Sequence, residues 1–177
     1  RQPVLSDDII KAVNGNKAST WTAGRNTRFE AMTLGQARQM MGAKDDNEIA
    51  KLPRIQHDEE TLQAAPAEYD PRKSRPNCTG PVLDQGFCGS CWAFGATEAA
   101  SDRLCMSSGT NKFLQLAPLD TTSCDSGFFS GENGCHGGQL GGAWNYIKKT
   151  GLVDEACFPY LKSQGGPVPT CQASDQP

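Results

Sequence analysis

The sequence predicts a mainly helical, disulfide-bonded domain preceded by a helical leader that must dock on it. Three observations carry this expectation. All eight cysteines fall between Cys78 and Cys171, with none before. A run of small residues from Cys91 to Cys105 reads as a helix buried on most of its circumference. Ahead of Gly42, two short amphipathic helices have too little chain around them to bury their apolar faces on each other.

The first leader helix starts at Ser6, a capping residue followed by Asp7 and Asp8, which suit the positive end of the helix dipole. Ile9, Ile10 and Val13 share its apolar face. The second runs from Leu34 to Gly42. Thr33 and Gln36, three apart, form a capping box, Leu34, Ala37, Met40 and Met41 make the apolar stripe, and Gly42 is read as the C′ stop. Trp21, Phe29 and Met32 lie between them. Ala43 to Gln63 is dense in Asp, Glu and Lys and reads as an exposed linker, with His57 as a solvated linker histidine. Pro66 to Arg75 is expected to be extended. After the Cys91–Cys105 helix, another is expected from Gln139 to Lys149, with Lys148 and Lys149 at its negative end and Gly151 as its stop. Composition leaves open whether the leader is a separable segment or an integral first subdomain.

The chain has 177 residues, 20 acidic and 17 basic, for a net charge of −3. That balance argues against a nucleic-acid or anionic-membrane binder held by bulk charge. No apolar run is long enough to span a bilayer, and the Arg1-Gln2-Pro3 start has no apolar h-region, so any signal peptide is expected to be gone. The first 63 residues hold nine acidic and nine basic side chains, so the net charge resides in the remainder. Eight cysteines within about a hundred residues point to an oxidising compartment: lysosomal, vacuolar or secreted. A zinc protein in a reducing compartment is the alternative, and no metal site is expected from the spacings.

The most informative segment is Gln85-Gly86-Phe87-Cys88-Gly89-Ser90-Cys91-Trp92-Ala93-Phe94. Cys91 stands where a loop becomes the small-residue helix, and the N–H groups and partial positive charge of a helix start favour an anionic sulfur. Gly86 and Gly89 permit tight turns and leave a substrate room to approach. Gln85 can present its side-chain amide beside the thiol. With the Cys91 backbone N–H, that amide makes a two-donor oxyanion hole for acyl transfer. Cys88-x-x-Cys91 also has redox, zinc and purely structural readings. It lacks the preceding βαβ pattern of a redox pair, a second metal-binding pair, and any structural need for Gln85.

This run resembles the nucleophile signature of papain-like cysteine proteases, in particular their cathepsin B-like branch. Gly95 to Glu98, Ser101 to Cys105 and Gly134-Cys135-His136-Gly137-Gly138 support the resemblance, as do Trp21 to Gly24 and the Leu34–Gly42 helix for a propeptide. It implies an α+β papain-like fold, of which this chain holds mainly the helical left domain. Residues 1–63 would be propeptide and processing linker, with the mature chain starting near Leu62 to Pro66. Residues 64–177 would be the N-terminal, helical half of the catalytic domain, with the C-terminal β half absent. The resemblance makes Cys91 the nucleophile and Gln85 the oxyanion donor. Gly137 and Gly138 would pair with an extended substrate like a strand added to an edge, and Gly89 and Trp92 would flank the cleft. It implies disulfides Cys78–Cys105, Cys88–Cys135 and Cys124–Cys157, leaving Cys171 without a partner. In the family the propeptide occupies the cleft in reverse until acid loosens it. The implied partners are peptide or protein substrates, the chain's own propeptide and cystatin-type inhibitors, with no cofactor.

A papain-type thiolate needs a histidine about 130–150 residues further on, beyond roughly residue 220. His57 and His136 are the only histidines, and neither has that spacing. The expectation is therefore a cysteine endopeptidase zymogen whose catalytic His and Asn lie outside this chain, so that the chain alone does not turn over peptides. The alternative is a truncated, non-catalytic binding or decoy protein on half the fold. Leu161 to Pro177 contains no histidine, so the paired-histidine loop that favours dipeptide removal in the cathepsin B branch is unsupported. Asn77-Cys78-Thr79 is a formal N-glycosylation sequon, left open because Cys78 is expected to be bonded.

Overall fold

The computed structural model describes residues 2–45, 49–125, 134–160 and 168–171. Among these are seven α-helices: α1 Asp7–Gly15, α2 Leu34–Gln39, α3 Glu59–Gln63, α4 Pro71–Ser74, α5 Cys91–Ser108, α6 Pro118–Cys124 and α7 Leu140–Thr150. The only extended pairings among the described residues are isolated bridges: Pro3 with Thr33, Ala43 with Gly138, and Leu116 with Asp154. None of the described helices is long and apolar enough to cross a membrane.

Helix α5 is the centre of the domain. Trp92, Ala93, Phe94, Ala96, Thr97, Ala100, Ser101 and Cys105 are all buried, because small side chains let α6 and α7 approach closely. Gly109, in the left-handed conformation at φ 67°, ends it. Trp92, Ala93, Ala96 and Ala143 form one apolar cluster, with Trp144 and Ile147 of α7 against it. A second joins Ala117, Leu119 and Phe158. Several polar groups between them are paired, as burial favours. The Thr97 and Thr121 hydroxyls meet at 2.9 Å, and Ser101 Oγ donates to Thr97 O and accepts from Leu116 N. Buried Asp120 accepts from Tyr146 Oη at 2.8 Å and from Val153 N at 3.0 Å. Burial, then the carboxylate of Asp120, pushes the Tyr146 phenol well above its usual range.

Local signals explain the helix ends. Ser6 Oγ accepts from Ile9 N at the start of α1, and both halves of the Thr33–Gln36 capping box are present. Asp70 caps α4, with Pro71 as its first residue, so Pro66 to Arg75 is not extended throughout as expected. The linker likewise contains α3, capped by Asp58, although the side chains of residues 53–63 are exposed, His57 among them. Helix α6 was not foreseen; Pro118 at its first position was the available signal. Helix α7 lies one residue on from the expected span, with Gly151 as its C-cap.

Three disulfides are formed, Cys78–Cys105, Cys88–Cys135 and Cys124–Cys171. The third corrects the expected Cys124–Cys157 pairing. Cys171 returns to the end of α6, with a Cα–Cα distance of 4.8 Å from Cys124, whereas Cys157 is exposed and free. Apart from residues 168–171, the histidine-free stretch after Tyr160 lies outside the described residues.

The leader is braced internally before it reaches the domain. Asn14 exchanges two hydrogen bonds with the Ala23 backbone, at 2.8 and 3.0 Å, and Arg25 pairs with Asp7. Val4 N donates to Met32 O and Leu34 N to Gln2 O, placing the chain start alongside α2. No residue of α1 is buried, whereas α2 buries Ala37. The docking face is therefore α2 and the segment after it. Helix α2 stops at Gln39, short of the expected Gly42, because the residues that follow bond to the domain instead of continuing the helix.

Candidate active site

Cys91 is the first residue of α5 and is partly exposed. Its Sγ accepts a hydrogen bond from Gly42 N at 3.2 Å, so a leader residue 49 positions upstream sits on the thiol. Gln85 lies on the loop before α5, with its Nε2 donating to Cys88 O at 2.5 Å and to Met40 O at 2.8 Å. One amide hydrogen fixes the side chain to its own loop. The other is aimed at a peptide carbonyl beside Cys91, which is the geometry an oxyanion donor requires.

The leader then pairs with the opposite wall. Gly138 N donates to Gly42 O at 2.8 Å and Lys44 N donates to Gly138 O at 2.9 Å, giving a parallel bridge at Ala43. Within five residues, the backbone from Met40 to Lys44 engages Gln85, Cys91 and Gly138.

Glycines make this approach possible. A Cβ on Gly42 would lie 1.7 Å from Gly89 O and 2.4 Å from Gly89 C. Gly42 is therefore required for close contact, and not for the left-handed helix stop read from the sequence. A Cβ on Gly89 would be 2.5 Å from Cys135 O and 3.0 Å from Gln39 O. Gly137 has φ +100°, and its Cβ would meet Gly42 O at 2.6 Å. A Cβ on Gly138 would be 2.5 Å from the Trp92 ring. Gly86, at φ +64°, makes the turn after Asp84.

The structure thus gathers Gln85, Gly89, Cys91, Gly137 and Gly138 around one segment. Trp92 differs from the expectation that it flanks the cleft. It is wholly buried, donates its indole N–H to Gly134 O at 3.1 Å, and supports Gly138 from inside. His136 is exposed, one residue past Cys135. The Cys88–Cys135 disulfide and the 2.9 Å bond from Gly89 N to Cys135 O tie the Gln85–Cys91 loop to the Gly137–Gly138 wall.

Arg28 adds a charged contact between leader and domain. Its Nη2 is 2.9 Å from Asp84 Oδ1, which also accepts from Gly86 N. Two acidic groups in the domain are held above their usual range. Burial, then the charge of Asp102, raises Glu98; burial raises Glu155, partly offset by the backbone N–H of Tyr160. Tyr160 itself was not anticipated. Its hydroxyl lies within hydrogen-bond distance of the Gln85 carbonyl and of Ser90. Only its place after Phe158-Pro159, far along the chain, was visible beforehand.

Comparison with known proteins agrees with this geometry. The family described as papain family cysteine protease matches residues 65–177, and the peptidase family C1 propeptide matches residues 5–47. A cathepsin B-like cysteine proteinase of Schistosoma japonicum is 37% identical over 182 residues, covering 95% of this chain and 49% of that protein. Cathepsin B of Dictyostelium discoideum is 37% identical over 160 residues, covering 89% of this chain and 46% of that protein. Among solved structures, procathepsin B S9 from Trypanosoma congolense superposes with a TM-score of 0.81 at 28% identity, over 97% of this chain and 59% of that one. The chain spans about half the length of the curated relatives it matches.

Proposed function

The chain belongs to the papain family of cysteine proteases, in its cathepsin B-like branch and with a family propeptide, and on that premise we propose that it is the leader-blocked, N-terminal part of a cysteine endopeptidase zymogen. Residues 1–63 act as propeptide and processing linker, and residues 64–177 as the helical part of the catalytic domain. Cys91 is the nucleophile, and Gln85 Nε2 with the Cys91 backbone N–H is the oxyanion hole. Gly137 and Gly138 form the wall on which substrate backbone pairs.

The chemistry follows from these roles. The Cys91 sulfur attacks the scissile carbonyl, an Sγ–C bond forms, and the carbonyl oxygen takes negative charge facing Gln85. Collapse breaks the C–N bond, and the amine leaves with a proton from a histidine expected outside this chain. Water then releases the acyl group and regenerates the thiol. Leu161–Pro177 contains no histidine, which favours endopeptidase action over dipeptide removal. Three disulfides among the described residues suit a lysosomal, vacuolar or secreted protein.

One observation carries the zymogen reading: Met40 O sits on Gln85 Nε2 while Gly42 N sits on Cys91 Sγ and Gly42 O on Gly138 N. The leader thus places a peptide backbone where a substrate is expected. It pairs in parallel with the Gly138 wall and covers the thiol with the Gly42 N–H. The test is hydrolysis of a peptide substrate at acid pH by the full-length protein after removal of the leader. Activity that Cys91→Ala abolishes is the expected result. Activity that survives the substitution, or a folded wild type that binds peptides without cleaving them, would overturn the proposal.

A further inference from the structure

Tyr160 lies 69 residues after Cys91, yet its phenol meets both ends of the segment carrying the proposed chemistry. Its Oη is 3.0 Å from Gln85 O and 3.1 Å from Ser90 Oγ. A phenol has one proton, and a carbonyl oxygen can only accept. Tyr160 therefore donates to Gln85, and Ser90 donates to Tyr160.

The second bond changes what Ser90 does. Ser90 is wholly buried at the N-cap of α5, where a serine hydroxyl ordinarily accepts from an N–H of the first turn. It makes no such capping bond; its proton goes to the phenol. The phenol is itself fixed. Its ring stands edge-on to Phe94 with centroids 4.7 Å apart, its backbone N–H donates to Glu155 Oε1 at 2.7 Å, and Phe158, two residues earlier, is buried in the second core cluster.

We infer that Tyr160 is a positioning residue for the proposed acyl transfer, setting the Gln85 amide and the Cys91 sulfur in register by tying the loop of one to the helix start of the other. The inference rests on the protease reading given above. The Cys88–Cys135 disulfide and the Gly89 N bond to Cys135 O restrain the middle of the intervening loop, and the phenol ties its two ends. Loss of the phenol hydroxyl removes the tie between the two ends, leaving Gln85 held by its bond to Cys88 O and Ser90 by the first turn of α5. A displacement of about 1 Å between a nucleophile and its stabilising donors costs up to about a hundredfold in rate.

Tyr160→Phe keeps the ring on Phe94 and removes only the two hydrogen bonds. In the full-length, processed protein, kcat for a peptide substrate is expected to fall about tenfold with KM nearly unchanged. A peptidyl aldehyde probes the same donor, because Cys91 Sγ adds to its carbon and the oxygen, taking up a proton, sits at Gln85. Its affinity should fall by a similar factor. Iodoacetamide alkylation of Cys91, which uses no oxyanion donor, should stay unchanged. In a Gln85→Ala background, adding Tyr160→Phe should cost less than about twofold, because the group it positions is gone.

A merely structural tyrosine would slow alkylation together with hydrolysis, or give losses that add in the double variant; either result overturns the inference. Tyr160→Phe kinetics equal to wild type would overturn the inference alone. An inert wild type would overturn the protease reading and the positioning role with it.

Discussion

Gly42→Ala is the sharpest probe of how the leader blocks the site. Gly42 is buried, and its φ lies outside the left-handed region, so the backbone conformation itself accepts alanine. The obstacle is the contact. The new methyl would lie 1.7 Å from Gly89 O and 2.4 Å from Gly89 C, and no flexible side chain there can swing away. Gly89 is held by its own bond to Cys135 O and by the neighbouring disulfide. The leader must therefore lift, releasing the bonds at Cys91 Sγ, Gln85 Nε2 and both sides of Gly138. Four hydrogen bonds at about 0.5–1.5 kcal/mol each, the sulfur one being weak, amount to about 3 kcal/mol. That is a rise of about a hundredfold in the open population. Iodoacetamide labelling of the 177-residue chain, mapped by peptide mass, reads this opening directly. Exposed Cys157 supplies an internal reference whose rate should not change. Cys91 labelling within about threefold of wild type would refute the close-contact argument.

The Arg28–Asp84 pair is half-exposed, so Arg28→Ala should raise Cys91 labelling by only a few-fold, and less in high salt; a rise as large as that of Gly42→Ala would contradict the ranking. Gly138→Ala would put a methyl 2.5 Å from the Trp92 ring and should cost about 1–3 kcal/mol, read from the denaturation midpoint; an unchanged midpoint would remove Trp92 as the support of the wall. Glu98 is raised above its ordinary value of 4.5 by burial and Asp102, so the folded state holds its proton more tightly than the unfolded chain does. Its contribution is fully present below pH 4.5 and is lost as pH rises through the folded value. Glu98→Gln should therefore match wild type in Tm at acid pH and exceed it at neutral pH, and a pH-independent difference would exclude this origin. Non-reducing peptide mapping of the 177-residue chain should recover Cys124 joined to Cys171, with Cys157 alkylated; a Cys124–Cys157 peptide would restore the pairing expected from the family.

Local chemistry carried much of the fold. The Ser6 and Thr33 caps, the small-residue face of α5 and the Gly151 stop were legible because each acts within a few residues of itself. The Asp70-Pro71 and Pro118 starts are just as local, but proline suits extended chain as well as a first helical turn, so it does not by itself mark a helix. At the site, Gln85, Cys91 and the glycines stood out because two short segments carry them.

What the tertiary structure alone decided is everything that depends on distant chain meeting. The sequence determined that a thiol sits at a helix start beside an amide donor, and that a cysteine-free leader needed a host surface. It could not show that Gly42 is a glycine because Gly89 passes against it, since that requirement exists only once the leader is docked. Nor could it choose Cys171 over Cys157 as the partner of Cys124, because pairing follows Cα distance and not spacing along the chain. The serine before Cys91 stands at the N-cap of α5, where a hydroxyl ordinarily accepts from the first turn. Only the packed core, by bringing Tyr160 to it, turned that hydroxyl away from the helix and toward the loop that holds Gln85.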